Sequence, residues 1–302
     1  MIHLENRQIK LSIVIAAWNG IHALDQCLAS LVKQIDERDT EVTVVSNFHT
    51  ESFESEKRFS FVKYIFLSKE ATVPELRGHG ICRARGEIVA LVEDHCTFDP
   101  IWCREIKRAY ELPYGIIGGS VENASVKRVL DWAVYFYDYG KYMLPNKADI
   151  AETLSGMNVS YKKEILDDVH DIYKDGFFET FVNEELKKRG HKLYMMPTAI
   201  VYHNKNYEFG RASTQCFHLA RSFAAKRIPS SATSKRVLFI ATSFMLPFLL
   251  SARIAAWTLR KGRHTKELIL SFPCIFLLMT IWSFGEFCGY LNGEGSSARE
   301  WR

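Results

Sequence analysis

Regular patterning begins at residue 11. Leu11–Ala17 (LSIVIAA) is a short apolar run that Trp18-Asn19-Gly20 breaks. Ile21, Leu24, Leu28, Leu31 and Val32 then recur at helical spacing, which predicts a helix over 21–34. Residues 41–45 and 61–67 read as two further strands. Residues 87–92, after Gly86, form an apolar run with β-branched members, the pattern of a central parallel strand buried on both faces. Strands alternating with helices predict an α/β domain with a mostly parallel sheet and right-handed crossovers.

The later pattern differs. The segments 181–189 and 211–227 read as helices, and 141–149 is a polar, aperiodic loop after an aromatic helix carrying Trp132, Tyr135, Phe136, Tyr137 and Tyr139. Residues 205–236 carry seven Lys/Arg against one Glu, the signature of a basic amphipathic element at a membrane surface or of a helix docked on the domain. Residues 237–252 and 268–285 hold no charge, and each is near the minimum length for crossing a bilayer. Their connector carries Arg260, Lys261, Arg263 and Lys266. On a spanning hairpin this would put positive charge on the far side, against the positive-inside rule. Two topologies follow, a two-span hairpin and one that dips in and out from the cytoplasmic face. The pattern divides the chain into an α/β domain over 1–204, a basic interfacial segment over 205–236, two hydrophobic helices over 237–291 and a tail over 292–302.

Composition changes the picture little. The net charge of +4 is concentrated beside the apolar segments, so anionic lipid is the expected partner and nucleic acid is not. Seven cysteines, an odd number without a CxxC, argue for a reducing compartment rather than a disulfide framework. The start, MIHLENRQIK, has no signal-peptide apolar core, so the α/β domain is expected in the cytoplasm. No GxGxxG follows the first strand and no GxxxxGK[ST] occurs, which argues against an NAD-dependent dehydrogenase and against a P-loop NTPase.

Candidate chemistry sits where the central strand ends. Glu93, Asp94 and His95 follow it directly, and ligands of open α/β sheets bind outside the carboxyl ends of the strands. Two acids and an imidazole there suit a divalent cation and, through it, a diphosphate. A polar turn leaving the strand is the plain alternative. His203, ending a later strand candidate, is either structural or a third ligand.

The stretches LSIVIAAWNG (11–20), ELRGHGICRARGEIVALVEDHCTFDP (75–100), ETLSGMNVSYKKEIL (152–166) and GFFETFVNEELKKRGHKLYMMPTAIVYH (176–203) together resemble the family-two inverting nucleotide-sugar glycosyltransferases of the GT-A fold. The resemblance implies a donor site lined by Ala17, Asn19, Asn47 and Asp94, and a metal at Glu93 and His95, with His203 nearby. Two positions depart from the usual pattern. Ser46-Asn47 replaces an acidic pair at the second strand's end. Glu93-Asp94-His95 replaces an Asp-any-Asp motif, a carboxylate–imidazole pair that suits Mn²⁺ better than Mg²⁺. Arg77, Arg83 and Arg85 are candidates to neutralise the diphosphate instead or as well, and Arg221 another.

An inverting transfer needs a carboxylate to take the acceptor's proton. The resemblance places this base on Glu179, counted back from the helix end Leu186-Lys187-Lys188-Arg189-Gly190, with Glu184 and Glu185 as rivals. It places Gly156 and Asn158 on the sugar pocket, Gly156 doubling as a bulge glycine. The implied activity is transfer from a UDP-sugar to a lipid-linked or membrane-near acceptor by a membrane-associated enzyme with Mn²⁺ or Mg²⁺, in envelope or polysaccharide synthesis. The altered motifs leave a second reading, a non-catalytic scaffold on a degenerate transferase fold. A nucleotidyltransferase would carry a Gly-rich basic loop that AAWNGIHAL lacks.

Overall fold

The computed structural model describes residues 8–49, 58–228 and 233–300; most of the N-terminal segment weighed above as a leader lies outside them. In chain order the elements are β1 (Leu11–Ala17), α1 (Ile21–Leu31), β2 (Thr40–Ser46), β3 (Val62–Phe66), α2 (Val73–Arg83), β4 (Ile88–Glu93), β5 (Cys96–Phe98), α3 (Trp102–Ala109) and β6 (Ile116–Asn123). Next come α4 (Val129–Asp138), β7 (Asp149–Ala151), β8 (Asn158–Lys162), α5 (Lys163–Asp167), α6 (His170–Tyr173), α7 (Glu179–Lys188) and β9 (Leu193–His203). The remainder is helical: α8 (Phe209–Arg227), α9 (Thr233–Thr242), α10 (Leu246–Lys261), α11 (Thr265–Asn292) and α12 (Ser297–Glu300).

Two compact units result. The first holds the chain up to Glu122 and Leu144–Asn204; the second holds Asn123–Met143 and the chain from Lys205 on. The aromatic helix α4 therefore belongs with the C-terminal helices and not with the residues on either side of it in sequence.

The first unit is built on one mixed sheet in the order β3-β2-β1-β4-β8-β6-β9-β5, with β7 on β9. The four strands from β3 to β4 are parallel. Their apolar runs are buried throughout β1 and β4, as a strand covered on both faces must be. Beyond β4 the sheet turns antiparallel, at β8 against β4 and β6, and at β9 against β5 and β7. Ala16 of β1 lies opposite Glu93 and Ala17 opposite Ser46, so β1, β2 and β4 end level. Their polar followers emerge along one edge.

Helix α2 is the element the hydrophobic pattern hides. Gly78 and Gly80 cost helix propensity, but Thr72 and Glu75 cap its start reciprocally, with Pro74 in the first turn. A Cβ on Gly80 would lie 2.2 Å from Val14 Cγ1, so the glycine lets α2 lie close against β1.

All seven cysteines are free. Burial, reinforced by Asp94 and Glu93, pushes the Cys27 and Cys96 thiols well above their ordinary range, and burial pushes Cys103 up to about 12. These raised values stabilise the fold fully below the unfolded thiol value of about 8.5, and the contribution falls away as pH rises toward the folded values. A thiol reagent at pH 8 should label exposed Cys82 and spare these three, and the melting temperature should drop above about pH 8.5. Equal labelling of all four would contradict the placement.

In the second unit, α8 packs along α11 through small residues. Ala212, Cys216, Ala220 and Ala224 are buried at intervals of four. A Cβ on Gly285 would lie 2.4 Å from Phe217 O, and one on Gly289 2.4 Å from Arg221 O. Gly285 and Gly289 thus form a small-xxx-small seam that brings two backbones together. The seam ends in a polar cluster. Arg227 donates to Glu286 Oε2 (3.0 Å) and to the Tyr290 hydroxyl (2.6 Å), Tyr290 donates to Glu286 Oε2 (2.7 Å), and Trp282 Nε1 donates to Glu286 Oε1 (2.8 Å). Arg221 donates through Nε to Gly293 O (2.9 Å) within this unit.

Candidate active site

The ends of β1, β2 and β4 bring Ala17, Asn19, Asn47, Glu93, Asp94 and His95 to one edge. Asn47 N donates to Ala17 O (3.3 Å), and its amide donates to Ala71 O (3.2 Å) just before α2.

Asp94 is fully buried and faces inward. Its Oδ2 accepts from the backbone N–H of Trp18 (2.9 Å) and of Asn19 (2.7 Å), and its Oδ1 accepts from Asn19 Nδ2 (2.7 Å). Its role is to hold the turn after β1, where no helix cap is otherwise made; direct donor contact was the expectation. The same amide orients His95. A carboxylate only accepts, so Asn19 turns Nδ2 toward Asp94, and its second hydrogen points to His95 Nδ1, 3.2 Å away. The other ring nitrogen, Nε2, lies 3.4 Å from Glu93 Oε2. Trp18 and His203 box the ring edge-on, with centroids at 5.5 and 5.0 Å.

Arg77 is the hub of the site. It enters from the second turn of α2, is buried, and ion-pairs with Glu93 Oε1 through Nη2. Through Nη1 it pairs with Glu179 Oε2 at 2.9 Å. A planar guanidinium can hold two carboxylates at fixed separation; an ammonium cannot hold that geometry. Glu179 begins α7, and its carboxyl is partly open to solvent. It sits over Gly156, where a Cβ would come within 2.5 Å of Glu179 Cδ. The glycine of the SGMN segment therefore makes room for the carboxylate. Glu185 pairs with Lys188 and Arg189, which hold its carboxyl below the usual range, and exposed Glu184 also faces away.

Three expected site residues lie elsewhere. Asn158 is fully buried: Trp102 Nε1 donates to its Oδ1 (3.0 Å), and its amide donates to Ser120 O and Ala199 O (both 2.9 Å). That pins β8 into the core and leaves no side-chain group for a sugar. Arg85 precedes β4, so it lies at the opposite end of the strand from Glu93, and it is spent on Glu41. Arg83 likewise ends α2, where it contacts His79.

Among the described residues no group of three or more His, Cys, Asp or Glu is placed to hold a metal, so His203 does not complete a triad with Glu93 and His95. It is fully buried against the His95 ring. The other two do fit a cation. His95 Nε2 is buried without a hydrogen-bond partner and faces Glu93 Oε2. With the ring's proton on Nδ1, 3.7 Å from Asp94 Oδ1, Nε2 and Glu93 Oε2 would offer a pair of ligands. Two protein ligands completed by phosphate oxygens is a common way of holding Mg²⁺ or Mn²⁺.

Sequence reasoning missed two contributors, Trp18 and the capping box of α2. The box was readable as Thr72-x-x-Glu75; nothing in the local pattern marks Trp18.

The mixed sheet is that of the GT-A glycosyltransferases. Staphylococcus aureus TarS, residues 1–349, solved with UDP-GlcNAc, aligns over 95% of this chain and 91% of its own at 13% identity and TM-score 0.54. The mannosyltransferase PcManGT of Pyrobaculum calidifontis, solved with GDP-Man and Mn²⁺, aligns over 93% and 88% at 14% identity and TM-score 0.59. GalNAc-T7, solved with UDP, GalNAc and Mn²⁺, aligns over 68% and 45% at 13% identity and TM-score 0.50. The sequence pattern of glycosyl transferase family 2 matches residues 12–170, more than half of the chain. The chain belongs to that family and is a glycosyltransferase. No curated protein matches the sequence.

Proposed function

We propose that this glycosyltransferase moves a sugar from a nucleoside diphosphate, UDP foremost, with inversion at the anomeric carbon. The acceptor is a hydroxyl or phosphate of a lipid-linked or membrane-near molecule, and the product an envelope or polysaccharide glycan. The catalytic unit works at the cytoplasmic face of a membrane that the apolar helices engage. The observation that carries this reading is Glu179, seated over Gly156 and tied by Arg77 to Glu93 at the end of β4.

In the reaction the acceptor O–H gives its proton to Glu179 as its oxygen bonds to the anomeric carbon. The C–O bond to the diphosphate breaks on the opposite side, and its electrons leave with the phosphate. Arg77, holding Glu93 and Glu179, brings its positive charge to bear on the departing phosphate. Glu93 and His95 would hold a divalent cation, whose charge would neutralise the departing diphosphate. Uridine is favoured because TarS and GalNAc-T7 are solved with it, although PcManGT carries GDP-Man in the same fold. With an amide and no carboxylate at Asn47, base and ribose are held by uncharged hydrogen bonds.

The test is a melting-temperature screen of detergent-purified protein with UDP, GDP, dTDP or CDP, each with Mn²⁺, Mg²⁺ or EDTA. UDP should raise the melting temperature most, and more with Mn²⁺ than with EDTA. Stabilisation by none of them would sink the reading.

A further inference from the structure

We infer that the hairpin of α9–α10 and α11 lies flat in one leaflet of an anionic membrane, its connector on the same aqueous side as the catalytic unit, and does not cross the bilayer. This rests on the membrane-associated reading above and deepens it.

By length and composition the hairpin could cross: its arms, Thr233–Lys261 and Thr265–Asn292, hold 29 and 28 residues. At about 1.5 Å per residue, α11 runs roughly 42 Å, more than the hydrocarbon thickness of about 30 Å. A spanning helix of that length would put its ends in opposite aqueous phases. The second unit ties both ends to segments that stay with the catalytic unit.

At the connector end, Trp132 of α4 packs on His264 with ring centroids 4.7 Å apart, and Lys141 lies over the Trp257 ring at 5.4 Å. The chain from Lys141 to Leu144, where the catalytic unit resumes, spans at most about 11 Å. That is too short to cross a bilayer. At the other end, the Gly285–Gly289 seam and Glu286 are held by Phe217–Arg227 of α8. Helix α8 follows Asn204 closely and carries Arg211, Arg221, Lys226 and Arg227, a charge load that excludes it from hydrocarbon.

The side chains of α11 agree. Leu268, Ser271, Ile275, Ser283, Glu286 and Tyr290 are buried in one stripe along the whole helix. Ile269, Leu277, Phe284 and Leu291 are exposed in the opposite stripe. A helix surrounded by lipid has no reason to bury one side from end to end. A helix lying in the interface does: it docks one side on protein and lays the other into the acyl boundary. Phe244, Phe248 and Leu249 extend the exposed apolar face on the other arm. Within that arm Arg253 stacks on Trp257 at 4.4 Å, a pair suited to the headgroup level. The occupant is an anionic bilayer because both ends of the face are basic: Lys235 and Arg236 at the start, and Arg260, Lys261, Arg263 and Lys266 at the connector.

The test uses the full-length native chain in sealed vesicles from expressing cells. A membrane-impermeant amine reagent is added from one face at a time, and labelled lysines are read by mass spectrometry. Exposed Lys174 reports the side of the catalytic unit. Lys261 and Lys266 should be labelled together with Lys174, and neither from the opposite face. Labelling of the connector only from the face opposite Lys174 would overturn the inference and leave membrane association standing. Recovery of the chain in the soluble fraction as a dimer would overturn both, with a second copy covering the apolar face. Purified protein should also bind phosphatidylglycerol-containing vesicles at least about tenfold more tightly than phosphatidylcholine vesicles; equal binding would overturn the choice of an anionic surface.

Discussion

Glu179→Gln should cut turnover by about 10²–10⁴-fold, the usual range for losing a positioned general base. Gln keeps the size of Glu179 and can still accept from Arg77 Nη1, 2.9 Å away, so the fold and the nucleotide-induced rise in melting temperature should persist. Glu184→Gln and Glu185→Gln should leave turnover within about twofold, because Glu184 is exposed and Glu185 is engaged with Lys188 and Arg189 on the outer face of α7. Parallel initial-rate measurements on the three variants check this. A large loss in Glu185→Gln with none in Glu179→Gln would move the base nearly two turns along the helix and undo the assignment.

Arg77→Ala should be the most damaging substitution to the fold of the site. It strands Glu93, nearly buried at the end of β4, without its counter-ion, a change that typically costs about 3–5 kcal/mol. It also releases Glu179 from its position over Gly156. Arg77→Lys separates the two effects. An ammonium restores charge near Glu93 and recovers part of the stability, but it cannot fork to two carboxylates, so turnover should stay low. Thermal melts and kcat measured on both variants check it. If Arg77→Lys matched the native enzyme in both, the bridge would be only a source of charge.

The sequence made the first half of the sheet legible because burial on both faces leaves long apolar runs, at Leu11–Ala17 and Ile88–Val92, that local pattern detects. It made the edge legible because Glu93 and His95 follow such a run directly. Helix α2 escaped because Gly78 and Gly80, placed for close packing, look like loop punctuation. Asp94 and Asn158 read as ligand-binding groups but serve the interior. Asp94's partners lie 75 or more positions away, at Trp18 and Asn19, and those of Asn158 lie at Trp102, Ser120 and Ala199. A polar residue's direction is set by such distant partners, and no window along the chain contains them. The same holds for Gly285 and Gly289, whose spacing acquires meaning only against the Ala220–Ala224 stripe of α8. Helix α4 joins the C-terminal helices for the same reason.

The central claim is single-step transfer with Glu179 as base, and proton NMR of donor turnover tests it most directly. Purified enzyme is incubated with an α-linked UDP-sugar and divalent cation, with water as acceptor, and the first sugar anomer released is observed before mutarotation. The account predicts UDP release with β-sugar formed first, and neither signal growing in Glu179→Gln. First release of the α-anomer, or equal release by the Glu179→Gln variant, would contradict it.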